Sequence, residues 1–262
     1  MRLVEMSAPE ATRAAKRAVA VLPLAAIEQH GPHLAVSTDS AIVTAVAEAV
    51  EARMPKTIVL CPTLHFGSSH HHLKFGGSLS LPPALYTDVV IELAESLLSG
   101  GFRRIVLLNG HGGNITPVKQ ALSILSHRHD DTLQPNIALA TYWEVGGKAF
   151  AGQAPMKTPA LSHACEYETS LMLHLHPDRV NMAAARRGKR PKSNGYIPWE
   201  DDEPYRGVTL SKRTHFISDT GASGDPRLGT AAKGALLFRA AVSAMAKFIG
   251  EFKDWPLMRS YR

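Results

Sequence analysis

From Ala18 to Ile27 the chain runs Ala-Val-Ala-Val-Leu-Pro-Leu-Ala-Ala-Ile without a polar side chain. An unbroken aliphatic and β-branched run describes a strand covered on both faces, and such strands belong to parallel sheets packed between helices. Arg103-Arg104-Ile105-Val106-Leu107-Leu108 is a second run of this kind, and shorter ones stand at Thr57–Cys61 and Asn136–Tyr142. Helical spacing separates them, near Ser40–Met54, Tyr86–Leu98, Ile115–His127, after Glu168, and at Thr230–Phe252. The alternation predicts an α/β fold, a three-layer α/β/α sandwich with a mostly parallel central sheet, as one domain spanning 1–262. Ligands in such folds bind beyond the carboxyl ends of the strands.

Chemistry-bearing residues stand at those ends. The first run leads into Glu28-Gln29-His30-Gly31-Pro32-His33-Leu34, with Thr38-Asp39 following. If strand geometry persists, Glu28 and His30 aim together, Gln29 aims away, and Asp39 completes the group from the loop. Carboxylate and imidazole together suit Zn, Mn or Fe(II). The plainer alternative is that Glu28 and His30 pair with each other and with nearby backbone. The second run leads into Asn109-Gly110-His111-Gly112-Gly113-Asn114. Glycines around a histidine expose the ring and admit a ligand against bare peptide N–H groups. A phosphate-cradling loop fits poorly, since the spacing matches neither the dinucleotide fingerprint nor the P-loop.

A third cluster is His163-Ala164-Cys165-Glu166-Tyr167-Glu168, entering a helix that stops before Pro177. On one continuous helix His163 and Glu168 would lie about 140° apart. Both reach one site only if His163 belongs to the preceding loop and Glu168 to the first turns. Only one of Glu166 and Glu168 can face inward, and both are also ordinary acidic residues for a helix N-terminus.

These motifs resemble the creatininase, or creatinine amidohydrolase, family. Gly224-Asp225-Pro226-Arg227, leading through Thr230 to Lys233-Gly234, resembles its C-terminal signature. The resemblance covers the whole chain and implies a dinuclear site for two divalent ions, Zn, Mn or Fe(II). Glu28, Asp39 and His111 would hold one ion and His30, Asp39 and Glu168 the other, with Asp39 bridging and a water between them. His163 would shuttle a proton to the leaving nitrogen. The implied reaction is hydrolysis of a C–N bond in a small molecule: a cyclic amide, a formamide on a pyrimidine nucleotide, or a short modified peptide that is trimmed. Homo-oligomers, commonly hexamers, are expected on the same ground.

Departures from the family pattern bear on substrate. Many relatives carry Glu-His and then Phe-Pro-Gly-Thr where this chain has Ser68-Ser69-His70-His71-His72-Leu73-Lys74-Phe75-Gly76-Gly77-Ser78. In extended backbone the three histidines alternate faces and cannot share one ion without a tight turn; His72 is the one expected to line the pocket, with Gly112, Gly113 and Trp143. Creatininases proper carry a glutamate where this chain has Gly113, which argues against creatinine itself and leaves the ligand role to Glu168. A Cys165–His163 nucleophile pair is disfavoured because residues two apart on a helix do not face each other.

Composition excludes other classes. The chain is 45% hydrophobic and 20% charged, ordinary globular usage, with no apolar stretch long enough for a membrane span. Met1–Glu10 has no apolar signal core and there are two cysteines, Cys61 and Cys165, so a cytoplasmic product without disulfides is expected. The net charge of +6 raises nucleic acid as a partner. Much of the surplus falls on Arg179, Arg186, Arg187, Lys189, Arg190 and Lys192 without interleaved aromatics, so a surface loop facing an anionic substrate or a neighbouring subunit is the better reading. The segments 147–162 and 186–213 are expected to be long covering loops, with Trp199 and Tyr205 as lid candidates. The competing class is a non-catalytic metal- or small-molecule-binding protein on the same fold.

Overall fold

The computed structural model describes residues 1–129, 133–189 and 212–260. In chain order the elements are α1 (Ala8–Ala15), β1 (Val19–Leu24), α2 (Thr38–Arg53), β2 (Ile58–Leu60), α3 (Pro83–Ser99), β3 (Arg104–Asn109), α4 (Ile115–Arg128), β4 (Leu133–Gln134), β5 (Asn136–Thr141), α5 (Tyr142–Val145), α6 (Glu166–Leu175), α7 (Ala231–Phe252) and β6 (Met258–Arg259).

Four strands form a parallel sheet in the order β2-β1-β3-β5. Strand alternation explains why the apolar runs have no polar positions. Val19, Val21, Ile58, Leu60, Val106 and Leu108 face one core with α2, α6 and α7, whereas Ala20, Leu22, Val59, Ile105 and Leu107 face the other with α1, α3 and α4. Each face of each strand must therefore be apolar. The short β4–β6 pair lies apart. No described helix is long and apolar enough to cross a membrane.

Because β2 pairs on one side of β1 and β3 on the other, the connections leaving β1 and β3 diverge. That is a topological switch point, where an open parallel sheet leaves a crevice at its carboxyl edge. Glu28 and His30 follow β1 and His111 follows β3, so both motifs open on this crevice.

Several local expectations are corrected. Asp39 lies in the first turn of α2, not in a loop; Ser37 is the N-cap, so the helix begins earlier than Ser40. His70–Phe75 forms a 3-10 helix, not extended chain, so His71 and His72 no longer alternate faces. Tyr142 opens α5 instead of closing β5. The covering segment 147–162 contains a 3-10 turn at Gly147–Phe150. Trp199, Tyr205, Arg190 and Lys192 lie outside the described residues, as do 190–211 of the basic segment.

Candidate metal centre

Glu28, His30, Asp39, His111 and Glu168 converge, and none is more than 7% exposed. Asp39 stands between the histidines: its Oδ1 is 3.1 Å from His30 Nε2 and its Oδ2 is 3.1 Å from His111 Nδ1. Glu28 Oε1 lies 3.3 Å from His111 Nδ1, and Glu168 Oε1 lies 3.8 Å from His30 Nε2. Glu168 reaches inward from the first turn of α6, and His163 sits in the loop entering that helix. His163 Nδ1 is 3.3 Å from Glu28 Oε1.

The far nitrogen of each inner imidazole fixes what the near one can be. His30 Nδ1 is 3.1 Å from the Glu28 carbonyl and His111 Nε2 is 3.1 Å from the Ser68 carbonyl. A carbonyl only accepts, so those nitrogens donate and, in the neutral rings, His30 Nε2 and His111 Nδ1 point lone pairs at carboxylate oxygens. Lone pairs at 3.1 Å repel unless a positive charge lies between them. His30 Nε2 and Asp39 Oδ2 are both buried without a hydrogen-bond partner. These orphaned atoms, and the ligand atoms of Glu28, His30 and Asp39, of His30, His163 and Glu168, and of Glu28, His71 and His111, lie close enough within each trio to hold an ion.

Titration follows the same logic, with protons and cations competing for these atoms. Burial alone would push Glu28 up, but His111 and His72 outweigh it and hold the carboxyl well below the usual range. Burial would push His30 and His111 down, yet Asp39 and Glu28 respectively, with their neighbours, hold both well above the ordinary imidazole value. Glu168 is pushed up by burial, and His163 is driven well below its usual value by burial and then by His72. His72 falls to about 3 through burial.

The supporting residues were less visible in sequence. Ser69 Oγ donates to Glu28 Oε2, and the Ala164 N–H donates to Glu168 Oε2. Ala164 sits at φ +51°, a conformation that costs an L-residue about 1 kcal/mol or more, and it turns the chain from His163 into α6. Asn114 bridges Ser68 N and the Ala25 carbonyl, joining the β3 loop to the β1 exit. Ser223 exchanges hydrogen bonds with the backbone of His163. Glu166 faces away from the centre, fully buried, and binds Lys157 N, Thr158 N and Oγ1, and Lys233 Nζ. It thereby ties the covering segment to α6 and α7.

A cavity of about 340 Å³ opens on the centre, walled by His71, His72, Gly112, Gly113, Trp143, Leu161, His163, Lys212 and Ile217 among others. The expected pocket residues His72, Gly112, Gly113 and Trp143 are all there; His71 and Lys212 are additional. His70 turns instead to Ser80 Oγ. A Cβ on Gly113 would lie 2.2 Å from the Ser68 carbonyl oxygen and 2.4 Å from His111 Nε2, so this position admits no side chain, and no carboxylate ligand, without moving His111. Cys165 is fully buried, its Sγ accepts from Ser162 N and burial pushes its thiol up to about 12, which removes it as a nucleophile. A larger cleft of about 440 Å³ beside Trp255 and Phe252 has no acid or imidazole in its walls.

A family profile described as creatininase, creatinine amidohydrolase, matches residues 4–249. The chain belongs to the creatininase family. Relatives matched by this chain are hydrolases by name, among them a precursor peptide peptidase, a creatinine amidohydrolase and a 3-dehydro-scyllo-inosose hydrolase of Thermotoga maritima. This creatininase-family chain is 31% identical over 245 residues to a mycofactocin precursor peptide peptidase of Mycobacterium tuberculosis, covering 90% of this chain and 86% of that protein. It is 29% identical over 194 residues to a creatinine amidohydrolase of Pseudomonas putida, covering 66% of this chain and 70% of that one. A crystal structure of creatininase matches with a TM-score of 0.79 at 25% identity, over 95% of this chain and 96% of the other. A manganese creatininase matches at 0.77 and 26% identity, over 95% and 97%. A zinc–zinc form of a creatininase variant matches at 0.80 and 25% identity, again over 95% and 97%. The resemblance read from the motifs and the α/β fold are both borne out.

Proposed function

We propose that the chain is a dinuclear metal-dependent amidohydrolase, acting as one catalytic domain. Glu28, Asp39 and His111 would hold one divalent ion, and His30, Asp39 and Glu168 the other, Asp39 offering one oxygen to each. The observation that carries this reading is the pair of orphaned buried atoms, His30 Nε2 and Asp39 Oδ2, within a set of lone pairs that face one another. The mixed nitrogen and oxygen donors suit Zn, Mn or Fe(II), and zinc and manganese forms occur among the similar structures. Two such ions, when bound, supply hydroxide near neutral pH and polarise the substrate's carbonyl.

The chain's own residues contribute the rest. His163 Nε2 donates to the Gln29 carbonyl at 2.7 Å, which leaves Nδ1 as an acceptor beside Glu28 Oε1, 3.3 Å away in the cavity wall. There it takes the proton released as water attacks and returns it to the leaving nitrogen. Trp143, Leu161 and Ile217 give the cavity an apolar wall.

For substrate, we favour an amide larger than creatinine, such as the end of a short modified peptide. Gly113 offers no room for the glutamate of creatininases proper, and mycofactocin precursor peptide peptidases are among the similar relatives. The basic residues Arg179, Arg186, Arg187 and Lys189 favour an anionic group on that substrate. Homo-oligomeric assembly, commonly as a hexamer, and a cytoplasmic location remain parts of this reading.

Metal content by inductively coupled plasma mass spectrometry, on protein purified without chelator, tests the centre. About two transition-metal ions per chain and turnover of a lactam, a formamide or a short peptide are expected. A protein that stays metal-free after reconstitution attempts overturns the proposal in favour of a non-catalytic binding protein.

A further inference from the structure

Gln29 stands between two proposed metal ligands, and strand periodicity sends its side chain away from them. The structure does the reverse. Its amide is buried, and both of its ends are specified. Oε1 accepts from the Gly31 N–H at 2.9 Å, so Nε2 is the donating end, 3.1 Å from the Gly221 carbonyl and 2.7 Å from His72 Nδ1. Two hydrogens meet two acceptors. Nε2 also lies 3.0 Å from His163 Nε2, but no third hydrogen remains for that contact. Gly221, at φ +80°, makes the fit possible: a Cβ there would lie 2.1 Å from Gln29 Oε1.

The amide and the peptide carbonyl of this one residue act oppositely on two stacked rings, whose centroids are 4.0 Å apart. Because His72 Nδ1 accepts from the amide, the hydrogen of neutral His72 is on Nε2, the atom turned toward Glu28 Oε1 at 3.7 Å. Because the Gln29 carbonyl can only accept, His163 Nε2 carries that ring's hydrogen and Nδ1 presents a lone pair. The two imidazoles sit end for end, so Glu28 Oε1, in the cavity wall, meets one donor at 3.7 Å and one acceptor at 3.3 Å.

We propose that Gln29 is a positioning residue that sets this complementary pair, and that the His72 Nε2–H donates a hydrogen bond to the substrate's carbonyl oxygen as it becomes negative. The chemical role rests on the hydrolase reading; the tautomer assignment does not. As the water oxygen forms its bond to the carbonyl carbon, one water O–H bond breaks and the proton goes to His163 Nδ1. When the C–N bond breaks, that proton passes to the nitrogen. The His72 proton stays on its ring throughout, as in other preorganised donors to a developing oxyanion.

Long-range proton–nitrogen correlation spectra of nitrogen-15-labelled protein, metal-free and loaded with diamagnetic zinc, read both tautomers directly. The wild type is expected to carry hydrogen on Nε2 in both rings. In Gln29→Glu the carboxylate can only accept, so the His72 hydrogen moves to Nδ1 while His163, held by backbone, keeps its own. Gln29→Met, which removes the donor without adding charge, gives a mixed His72 population and serves where the charged variant does not fold. With zinc content unchanged, kcat on an amide substrate falls about 10²–10³-fold and KM changes little, the size seen when one oxyanion donor is lost. Hydrogen on His72 Nδ1 in the wild type, or an unaltered His72 in both variants, overturns the assignment whatever the activity. Expected tautomers in a zinc-loaded protein that hydrolyses no amide overturn the hydrolase reading and with it the donor role of His72.

Discussion

Asp39→Asn isolates the bridging role, because it keeps the shape of the side chain and removes its charge. In the wild type each proposed ion would take one Asp39 oxygen, the two lying 3.1 Å from His30 Nε2 and 3.1 Å from His111 Nδ1 respectively. At free metal about 100-fold above Kd, one ion stabilises the fold by about 2.7 kcal/mol, so two contribute about 5 kcal/mol. For a chain of this length 1 kcal/mol corresponds to about 2 °C in Tm, giving a metal-dependent rise of about 10 °C. An amide oxygen replaces a carboxylate poorly as a ligand, and the amide nitrogen is a donor that turns one ion away outright. The expected rise in Asp39→Asn is therefore under about 2 °C, with metal content near zero. Near neutral pH the metal-free variant should melt below the metal-free wild type, because the Asp39 carboxylate helps to hold His30 and His111 above their ordinary value. Thermal scans with and without zinc or manganese, beside metal analysis, measure both quantities. An Asp39→Asn protein that keeps two ions and the full rise refutes the bridging assignment.

Three further outcomes are expected. In metal-free protein, His30 and His111 are held above their ordinary value of 6.5, so their stabilisation is present below pH 6.5 and is lost as pH rises through the raised values. Zinc binding runs oppositely because ligands must be deprotonated, so the Tm gap between zinc-loaded and metal-free protein widens from pH 6 to 9, and a narrowing gap contradicts the assignment. Gly113→Ala places a methyl 2.2 Å from the Ser68 oxygen and is expected to cost about 1–3 kcal/mol in urea unfolding and to deplete metal; full metal occupancy would show that His111 does not depend on this contact. Lys233→Met leaves buried Glu166 without its cation and is expected to cost about 3 kcal/mol, partly recovered by adding Glu166→Gln; no recovery in the double variant would deny that the two act as a pair.

What sequence could say about this fold depended on range. Because a strand covered on both faces leaves a pattern that needs no partner to interpret, the doubly buried runs gave β3 to within one residue at each end and β1 at its start, though the apolar run to Ile27 overran the end of β1 at Leu24. The placement of Glu28 and His111 at the carboxyl edge followed from the same runs, and the 140° argument correctly put His163 before the helix and Glu168 within it. Local signals misled where two motifs compete for the same residues. Thr38-Asp39 reads as loop before a helix at Ser40, yet α2 already begins at Thr38, with Ser37 at its N-cap position. Three histidines in a row suggest extended alternation, but a 3-10 turn brings two of them to one cavity. Glu166 carries an ordinary signal for a helix N-terminus; its cation stands 67 residues later, beyond any periodicity.

The deepest part of the site is illegible in side chains because it is made of backbone. His30, His111 and His163 each place one nitrogen on a peptide carbonyl, those of Glu28, Ser68 and Gln29. A carbonyl cannot titrate, so it keeps each ring oriented with its other nitrogen toward the carboxylates. Outer partners of this kind orient ligands in metal sites generally and fix the tautomer that binds. Here two of the three carbonyls belong to the same Glu28-Gln29-His30 stretch that supplies ligands, and the third comes from the segment before the histidine triplet. The folding of the β1 exit therefore brings in Glu28 and His30, two of the proposed ligands, together with the carbonyls that orient His30 and His163, which explains how so many buried polar groups stand together at the end of an otherwise apolar strand.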